Sequence, residues 1–246
     1  MADIKSRYHI LDSLRGFLVI GMVFYHFLFN LRFMFRVNWS FGIYDATSWI
    51  QPIGASLFII LCGVSCTFSQ NNFRRGLKIL IAAGAVTIVT AMPFLDVDII
   101  WFGILHFLAV GVLWFAVLEK LLKKVPTIVG IIGCLILFFA TFYLRSGYLG
   151  FSPTASLNIL WIPPLPVAII SGINPRGFWS PDYFPTLPWI FMLMLGTFLG
   201  RWVPLFKDVL QKNPAPWLGA IGRKALLIYL LHAPVVFFLA YFISKI

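Results

Sequence analysis

The chain has 246 residues, of which 61% are hydrophobic and only 11% are charged, and its mean hydropathy is +0.93. A soluble domain of this size needs more polar residues to cover its surface, so the composition excludes a soluble globular protein and indicates a multi-span membrane protein. The formal net charge of +11 fits a basic cytoplasmic face, which would also attract polyanionic cytosolic ligands. No nucleic acid partner is expected.

Apolar runs of about 20 residues, the length that a transmembrane helix needs, recur along the chain. In order, they cover roughly residues 11–31, 49–69, 77–95, 99–121, 125–144, 185–203 and 218–243. The first run has no small-residue cleavage pattern and is interpreted as a membrane helix, not a signal peptide. The expected fold is an all-α, polytopic transmembrane helix bundle of about seven spans, with residues 1–246 forming a single domain.

A segment rich in proline, glycine and aromatic residues separates the fifth and sixth runs. Its apolar centre is interrupted by Pro163, Pro164 and Pro166, which disfavour a continuous helix. We interpret the segment as an interfacial or re-entrant loop, with an eighth short span as the alternative.

The distribution of lysine and arginine predicts the orientation of the chain. Most of the 19 basic residues fall in the loops on the same side as the N-terminus. Positively charged loops stay on the cytoplasmic side of the membrane, so the N-terminus is expected inside and the C-terminus outside. The membrane is expected to be the cell membrane, plasma or inner, of a prokaryote.

Polar residues recur on one face of the first predicted span, "DSLRGFLVIGMVFYHFLFN". At 100° per residue this face contains Asp12, Arg15, Val19, Met22, His26 and Asn30. Ionisable groups within a span are costly and indicate a functional site. Asp12 and Arg15, three residues apart at the cytoplasmic end, have a second interpretation as a structural ion pair.

Three predicted spans contain a histidine at a similar depth. His26 and His232 lie about 22 Å and 21 Å from the inner ends of their helices, and His106 lies about 10 Å from an outer end. In a hydrocarbon core about 30 Å thick, all three fall in the middle or outer half. We therefore expect the three imidazoles to line one cavity. Tyr229 shares a helix face with His232, and its hydroxyl is expected to orient that ring. Pro234 frees a backbone carbonyl nearby.

The three cysteines, Cys62, Cys66 and Cys134, all lie within apolar runs. Their spacing suits neither a disulfide framework nor a thiolate metal site, so buried free thiols are expected. A metal site formed by three histidines is conceivable but has no identifiable carboxylate around it, and no metal is expected.

Five blocks follow one another along almost the whole chain. They read "RYHILDSLRGFLVIGMVFYHFLFN", "SLFIILCGVSCTFSQNNFRRGLKIL", "FGILHFLAVGVLW", "YFPTLPWIFMLMLGTFLG" and "IGRKALLIYLLHAPV". In this order they resemble the blocks of the heparan-α-glucosaminide N-acetyltransferase catalytic-domain family. The opening "LDSLRG" and "YH" pattern is also similar to the broader transmembrane acyltransferases that O-acetylate glycans.

This resemblance implies a membrane acyltransferase that moves acetyl from cytosolic acetyl-CoA to an amine or hydroxyl of a sugar or glycan across the bilayer. Asp12 and Arg15 match the entry motif of the family, and His26, His106 and His232 match polar positions in its blocks. The lysosomal members have asparagine where this chain has His26, and their catalytic histidine follows in the next loop. The corresponding stretch here, "FMFRVNWSFG", contains no histidine.

The resemblance leaves the identity of the base open among the three histidines, with His26 as the leading candidate. An imidazole suits this role because its ordinary pKa is close to neutral. Asn30, Tyr25 or a second histidine would stabilise the oxyanion. Direct transfer and a route through an acetyl-histidine are both compatible with the sequence.

The phosphates of acetyl-CoA require cationic partners, and the cytoplasmic ends of three predicted spans supply them. The candidates are Arg15, Arg74, Arg75, Lys78, Arg223 and Lys224, with Asp12 beside them. For all of these basic residues except Arg15, the alternative explanation is the excess of positive charge that cytoplasmic faces of membrane proteins ordinarily have. A homodimer is compatible with the sequence.

A proton-coupled transporter is the main alternative function, because intramembrane histidine and arginine also serve as proton relays. No inverted repeat of the kind found in many transporters is apparent. A purely structural membrane scaffold is the third hypothesis, and the inward polar stripe argues against it.

Overall fold

The computed structural model describes residues 7–93, 98–152, 154–159, 161 and 163–245. The chain forms two compact units. The terminal unit comprises residues 1–58 and 203–246, and the central unit comprises residues 59–202. The third predicted span, 77–95, ends beyond the described residues.

Helices from both ends of the chain build the terminal unit. They are α1 (His9–Phe29), continued by a π-helical turn (Asn30–Met34), α2 (Asn38–Thr47), the first part of α3 (Ile50–Cys66), α9 (Lys207–Leu210), α10 (Pro216–Arg223) and α11 (Ala225–Ser244), with a 3₁₀ turn at Val203–Phe206. α1 packs against both α10 and α11. Exposed apolar side chains cover another face of α1, among them Leu14, Phe17 and Phe24.

The central unit consists of the last residues of α3 and the following helices. They are α4 (Asn72–Thr90), α5 (Ile104–Leu122), α6 (Thr127–Ala140), α7 (Leu165–Ser171) and α8 (Thr186–Leu199), with a 3₁₀ turn at Leu144–Ser146 and a hairpin of β1 (Tyr148–Ser152) and β2 (Ala155–Asn158). α4 packs on α5, and α8 packs on both α5 and α6.

Local capping explains where several of these helices begin and end. The side chain of Asn71 accepts a hydrogen bond from the backbone N–H of Arg74 and caps α4. Asp182 Oδ2 accepts from the backbone N–H of Ile104, 3.2 Å away, at the start of α5. At the other end of α5, Arg201 Nη2 donates to the carbonyl oxygen of Leu122 at 2.7 Å. A cation there also complements the helix dipole.

The length and hydropathy of the helices confirm the expected all-α, polytopic membrane class. Four described segments suffice to cross a bilayer, namely His9–Met34, Ile104–Leu122, Thr127–Ser146 and Ala225–Ser244. Two bent pairs raise this number to six, Asn38–Thr47 with Ile50–Cys66 and Thr186–Leu199 with Val203–Leu210. α4 has 19 residues, but Arg74, Arg75 and Lys78 near its start lower its hydropathy.

Two predicted helix boundaries were wrong. The last apolar run was predicted as one span over 218–243, but the helix breaks at Lys224, which has φ −100° and ψ 14° and separates α10 from α11. The third run was predicted to begin at 77, whereas α4 begins five residues earlier, because helix formation tolerates the basic residues that a hydropathy window excludes.

The Pro-rich segment is a loop, as predicted, and the eighth-span alternative fails among its described residues. Its longest helix, α7, has 7 residues, far fewer than a span requires. The β-hairpin before it pairs Tyr148 with Asn158 and Gly150 with Ser156 in antiparallel register. The loop then docks on the start of α5, where the backbone N–H of Phe184 donates to the carbonyl oxygen of Phe102.

Glycines permit close helix contacts within each unit. In the terminal unit, a Cβ on Gly16 would overlap the carbonyl oxygen of Leu218, and one on Gly222 would overlap that of Asp12. In the central unit, Gly63 of α3 and Gly196 of α8 meet in the same way. Close backbone approach at small residues is typical of membrane helix pairs, which gain little from hydrophobic burial between helices.

Candidate functional site

His26 of α1 and His232 of α11 lie side by side in the terminal unit. Their ring centroids are 5.0 Å apart. His232 is buried and His26 is half-buried, so neither imidazole is fully exposed at the surface of the unit. The sequence predicted that these two residues share a site, and the packing of α1 against α11 brings them together. One bound group can therefore contact both rings.

A backbone contact sets the protonation pattern of His232. Its Nδ1 lies within hydrogen-bonding distance of the carbonyl oxygen of Tyr229. A carbonyl oxygen only accepts, so Nδ1 carries the proton and the basic lone pair of the neutral ring lies on Nε2. From the sequence we expected the hydroxyl of Tyr229 to orient the ring, whereas this bond uses its backbone. The tyrosine ring also packs beside the imidazole, with centroids 5.3 Å apart.

Tyrosines from two helices meet next to His26. The ring of Tyr25 stands edge-on to that of His26, with centroids 5.7 Å apart. Its hydroxyl oxygen lies 2.8 Å from that of Tyr44 in α2. Tyr44 was missed in the sequence because α2 is short and contains only a brief apolar pattern. The tyrosine follows another aromatic residue, Phe41, by three positions, and this pattern does not indicate a site.

Asn30 begins the π-helical turn that continues α1. Its backbone N–H donates to the carbonyl oxygen of His26, so the two residues occupy successive turns. π-Helical turns occur frequently at functional sites, because they widen the helix and re-aim its side chains. Asn30 is half-buried, and its role as an oxyanion donor stays a prediction.

Two arginines hold Asp12 at the opposite end of α1. Asp12 accepts from Arg7 Nε at 2.8 Å and from Arg15 Nη1 at 2.9 Å. The side chains of Asp12 and Arg15 are only 12% and 22% exposed. The ion pair that the i,i+3 spacing predicted is therefore present, and the role of these residues in donor binding stays a prediction. With two arginines around one carboxylate, the group retains a net positive charge.

Arg223, the last residue of α10, adds a third arginine to this cluster. A Cβ placed on Gly219 would lie 3.4 Å from Arg223 Nη1, 3.6 Å from Ser13 Oγ and 3.9 Å from the Cβ of Asp12. Arg223 therefore lies at the same end of the α1–α10 contact as the Asp12 ion pairs. Lys224, at the helix break, is exposed. We call Arg7, Asp12, Arg15 and Arg223 the basic cluster, and its cations suit phosphate oxygens.

In the central unit, Arg75 has a different environment from the one expected. Its Nη1 lies 3.5 Å from Cys66 Sγ, and its Nη2 lies 3.5 Å from Cys62 Sγ. The guanidinium thus packs against two thiols of α3, while Lys78 is exposed on α4. All three cysteines are buried thiols that form no disulfide, which confirms the prediction from their spacing.

His106 lies in the first turn of α5, within the central unit. Its Nε2 is 3.1 Å from the hydroxyl oxygen of Thr87 on α4. The ring of Phe102 packs against the imidazole, with centroids 5.8 Å apart. Because His106 and the His26–His232 pair belong to different units, their common cavity stays a prediction. Thr87 was missed in the sequence, where it reads as one of several helix-interior threonines.

Across the described residues, no three histidine, cysteine, aspartate or glutamate side chains converge as metal ligands. The His26–His232 pair contains two such groups, and Cys62 and Cys66 also lie close together.

A comparison against known families gives a match over most of the chain. The family model described as "Heparan-alpha-glucosaminide N-acetyltransferase, catalytic" matches residues 7–234. The chain belongs to this family. The match includes α1, the three histidines and the basic cluster. Neither curated proteins nor solved structures gave any match. The long apolar helices indicate that this member of the heparan-alpha-glucosaminide N-acetyltransferase family is a membrane protein.

Proposed function

We propose that the protein transfers acetyl from cytosolic acetyl-CoA to an amine or hydroxyl of a sugar on the other side of the membrane. Family membership supports acetyl transfer. The observation that carries the proposal is the 5.0 Å separation of the His26 and His232 rings within helices long enough to span a bilayer. Imidazoles in this setting provide proton transfer near neutral pH, which acylation of an amine or hydroxyl requires.

In the proposed reaction, His26 removes the proton from the acceptor nitrogen or oxygen as that atom attacks the thioester carbonyl carbon. The new C–N or C–O bond forms, the C–S bond breaks, and the proton passes to the departing CoA sulfur. His232 lies beside His26 and stabilises the protonated form through hydrogen bonding. Asn30 or Tyr25 provides a hydrogen bond to the carbonyl oxygen as negative charge develops there.

The basic cluster holds the donor at the other end of α1. Arg15 and His26 are separated by eleven residues on one helix, which corresponds to about 16 Å. The pantetheine arm is extended over a comparable length. One helix therefore contacts both the phosphate end and the thioester end of the donor, with Lys224 beside the basic cluster as a further candidate for the phosphates.

Proteoliposomes that contain radiolabelled acetyl-CoA and are suspended in glucosamine test the proposal. Labelled N-acetylglucosamine in the outer solution supports transmembrane acetyl transfer. A variant with both His26→Gln and His232→Asn is the matched control and should give no product. A transporter would move label or sugar across the membrane without forming the amide, and that result would contradict the proposal.

A further inference from the structure

Thr87 of α4 lies between a backbone carbonyl and the imidazole of His106. Its Oγ1 is 2.6 Å from the carbonyl oxygen of Ile100 and 3.1 Å from His106 Nε2. The hydroxyl has one proton, and the carbonyl oxygen only accepts, so the threonine donates to Ile100. Its oxygen is then the acceptor for His106, and Nε2 of that ring must carry a proton.

The carbonyl of Ile100 is itself held in place. The backbone N–H of Ile100 donates to Thr90 Oγ1 at 3.1 Å, one turn along α4 from Thr87. On either side, Ser180 Oγ donates to the carbonyl oxygen of Ile99 and accepts from the N–H of Trp101, each at 3.1 Å. The carbonyl therefore cannot turn away easily, and the direction of the Thr87 hydroxyl proton is fixed.

The remaining ring nitrogen of His106 has the lone pair. Nδ1 is buried, and none of the described residues donates a hydrogen bond to it. Buried polar atoms in folded proteins almost always have a partner, and the exceptions call for a ligand or water. A lone pair in this position requires a partner that donates an N–H or O–H.

We propose that Thr87 is a positioning residue that holds His106 with its proton on Nε2, so that Nδ1 accepts a hydrogen bond from a hydroxyl of a sugar bound to the central unit. His106 is the third residue of α5, and the charge distribution predicts that α5 starts on the outer side, where the acceptor arrives. That the hydrogen-bond partner of Nδ1 is a sugar rests on the proposed function. The tautomer of His106 rests on the geometry alone.

Nitrogen-15 NMR of the histidine-labelled protein tests the tautomer without any activity measurement. The signals that disappear from the spectrum in His106→Asn are assigned to His106. In the wild type we expect Nε2 in the protonated range and Nδ1 in the unprotonated range, and the same pattern in Thr87→Ser, which keeps the hydroxyl. In Thr87→Val the signals should indicate a mixture of tautomers. A proton on Nδ1 in the neutral wild-type ring would overturn the inference.

Thr90→Val is the matched control, because Thr90 contacts the same Ile100 backbone but not the imidazole. It should retain the wild-type tautomer. If both valine variants change the tautomer equally, the effect comes from the 99–102 segment and not from the Thr87 hydroxyl, and the positioning role is contradicted.

Titration with glucosamine tests the ligand. We expect the His106 Nδ1 signal to move on binding, and the Kd for glucosamine to rise several-fold, up to about tenfold, in Thr87→Val while the Kd for acetyl-CoA stays unchanged. Saturating glucosamine without any change at Nδ1 would overturn the acceptor contact. If Nδ1 responds to glucosamine but the wild type transfers no acetyl, the proposed function fails and this inference stands.

Discussion

The imidazoles of His26 and His232, on two helices from opposite ends of the chain, lie 5.0 Å apart. Their environments differ. His232 is buried and bonded to the backbone of its own helix, whereas His26 is half-buried beside Tyr25. This difference suggests separate roles, with His26 as the group that exchanges a proton with the acceptor and His232 as its fixed neighbour.

Replacing His26 should abolish catalysis and leave donor binding intact. Loss of a general base typically costs about 10²- to 10⁴-fold in rate, so we expect turnover of His26→Gln to fall by that factor. Calorimetry should give an unchanged Kd for acetyl-CoA. His106→Gln, assayed in parallel, is the comparison. If His26→Gln retains near-normal turnover while another histidine variant is inactive, the base is that other residue.

Two substitutions separate the two nitrogens of His232. Asparagine places an amide N–H near the position of Nδ1 and preserves the bond to the carbonyl of Tyr229, but it has no atom at Nε2. Alanine removes both. If Nε2 takes part in proton transfer, both variants should lose rate by about 10²-fold or more. Normal turnover in His232→Asn combined with loss in His232→Ala would instead assign His232 a purely structural role.

Arg15 should contribute to acetyl-CoA affinity. A charge-assisted hydrogen bond contributes about 1.5–3 kcal/mol, so Arg15→Ala should raise Kd by about 10- to 100-fold. Added salt should weaken wild-type binding by screening the phosphates. Lys123→Ala is the control, since Lys123 forms an exposed ion pair with Glu119 and its side chain is 69% exposed. Equal Kd values for wild type and Arg15→Ala would remove Arg15 from the donor site.

The contact between α1 and α10 should depend on Gly16. In Gly16→Ala the new methyl group overlaps the carbonyl of Leu218, which cannot move without shifting α10. Overpacking typically costs about 1–3 kcal/mol, so the Tm in detergent should fall. The control is Gly21→Ala on the same helix, where a Cβ meets no atom within 4 Å. A Tm of Gly16→Ala equal to that of Gly21→Ala would contradict this close packing.

The sequence by itself determined the membrane class, most of the long helices and the polar face of α1. Hydrophobic runs and their length are local properties, since lipid requires each spanning segment to satisfy its own backbone hydrogen bonds. The i,i+3 spacing of Asp12 and Arg15 likewise predicted a local ion pair. The break at Lys224 escaped detection because apolar residues continue on both sides of it.

Only the tertiary structure decided which polar groups meet. The contact of His26 with His232 joins residues 206 positions apart (232 − 26) and depends on how α1 packs against α11. The sequence predicted that Arg75 binds the phosphates of acetyl-CoA, and only the packing of its guanidinium on α3 revealed its contacts with two thiols. Tyr44 and Thr87 carry no sequence signal, because a hydroxyl acquires its role from the neighbour that its helix meets. Depth in the membrane follows from position along a helix, whereas proximity across helices depends on their rotation and crossing, which local sequence does not encode.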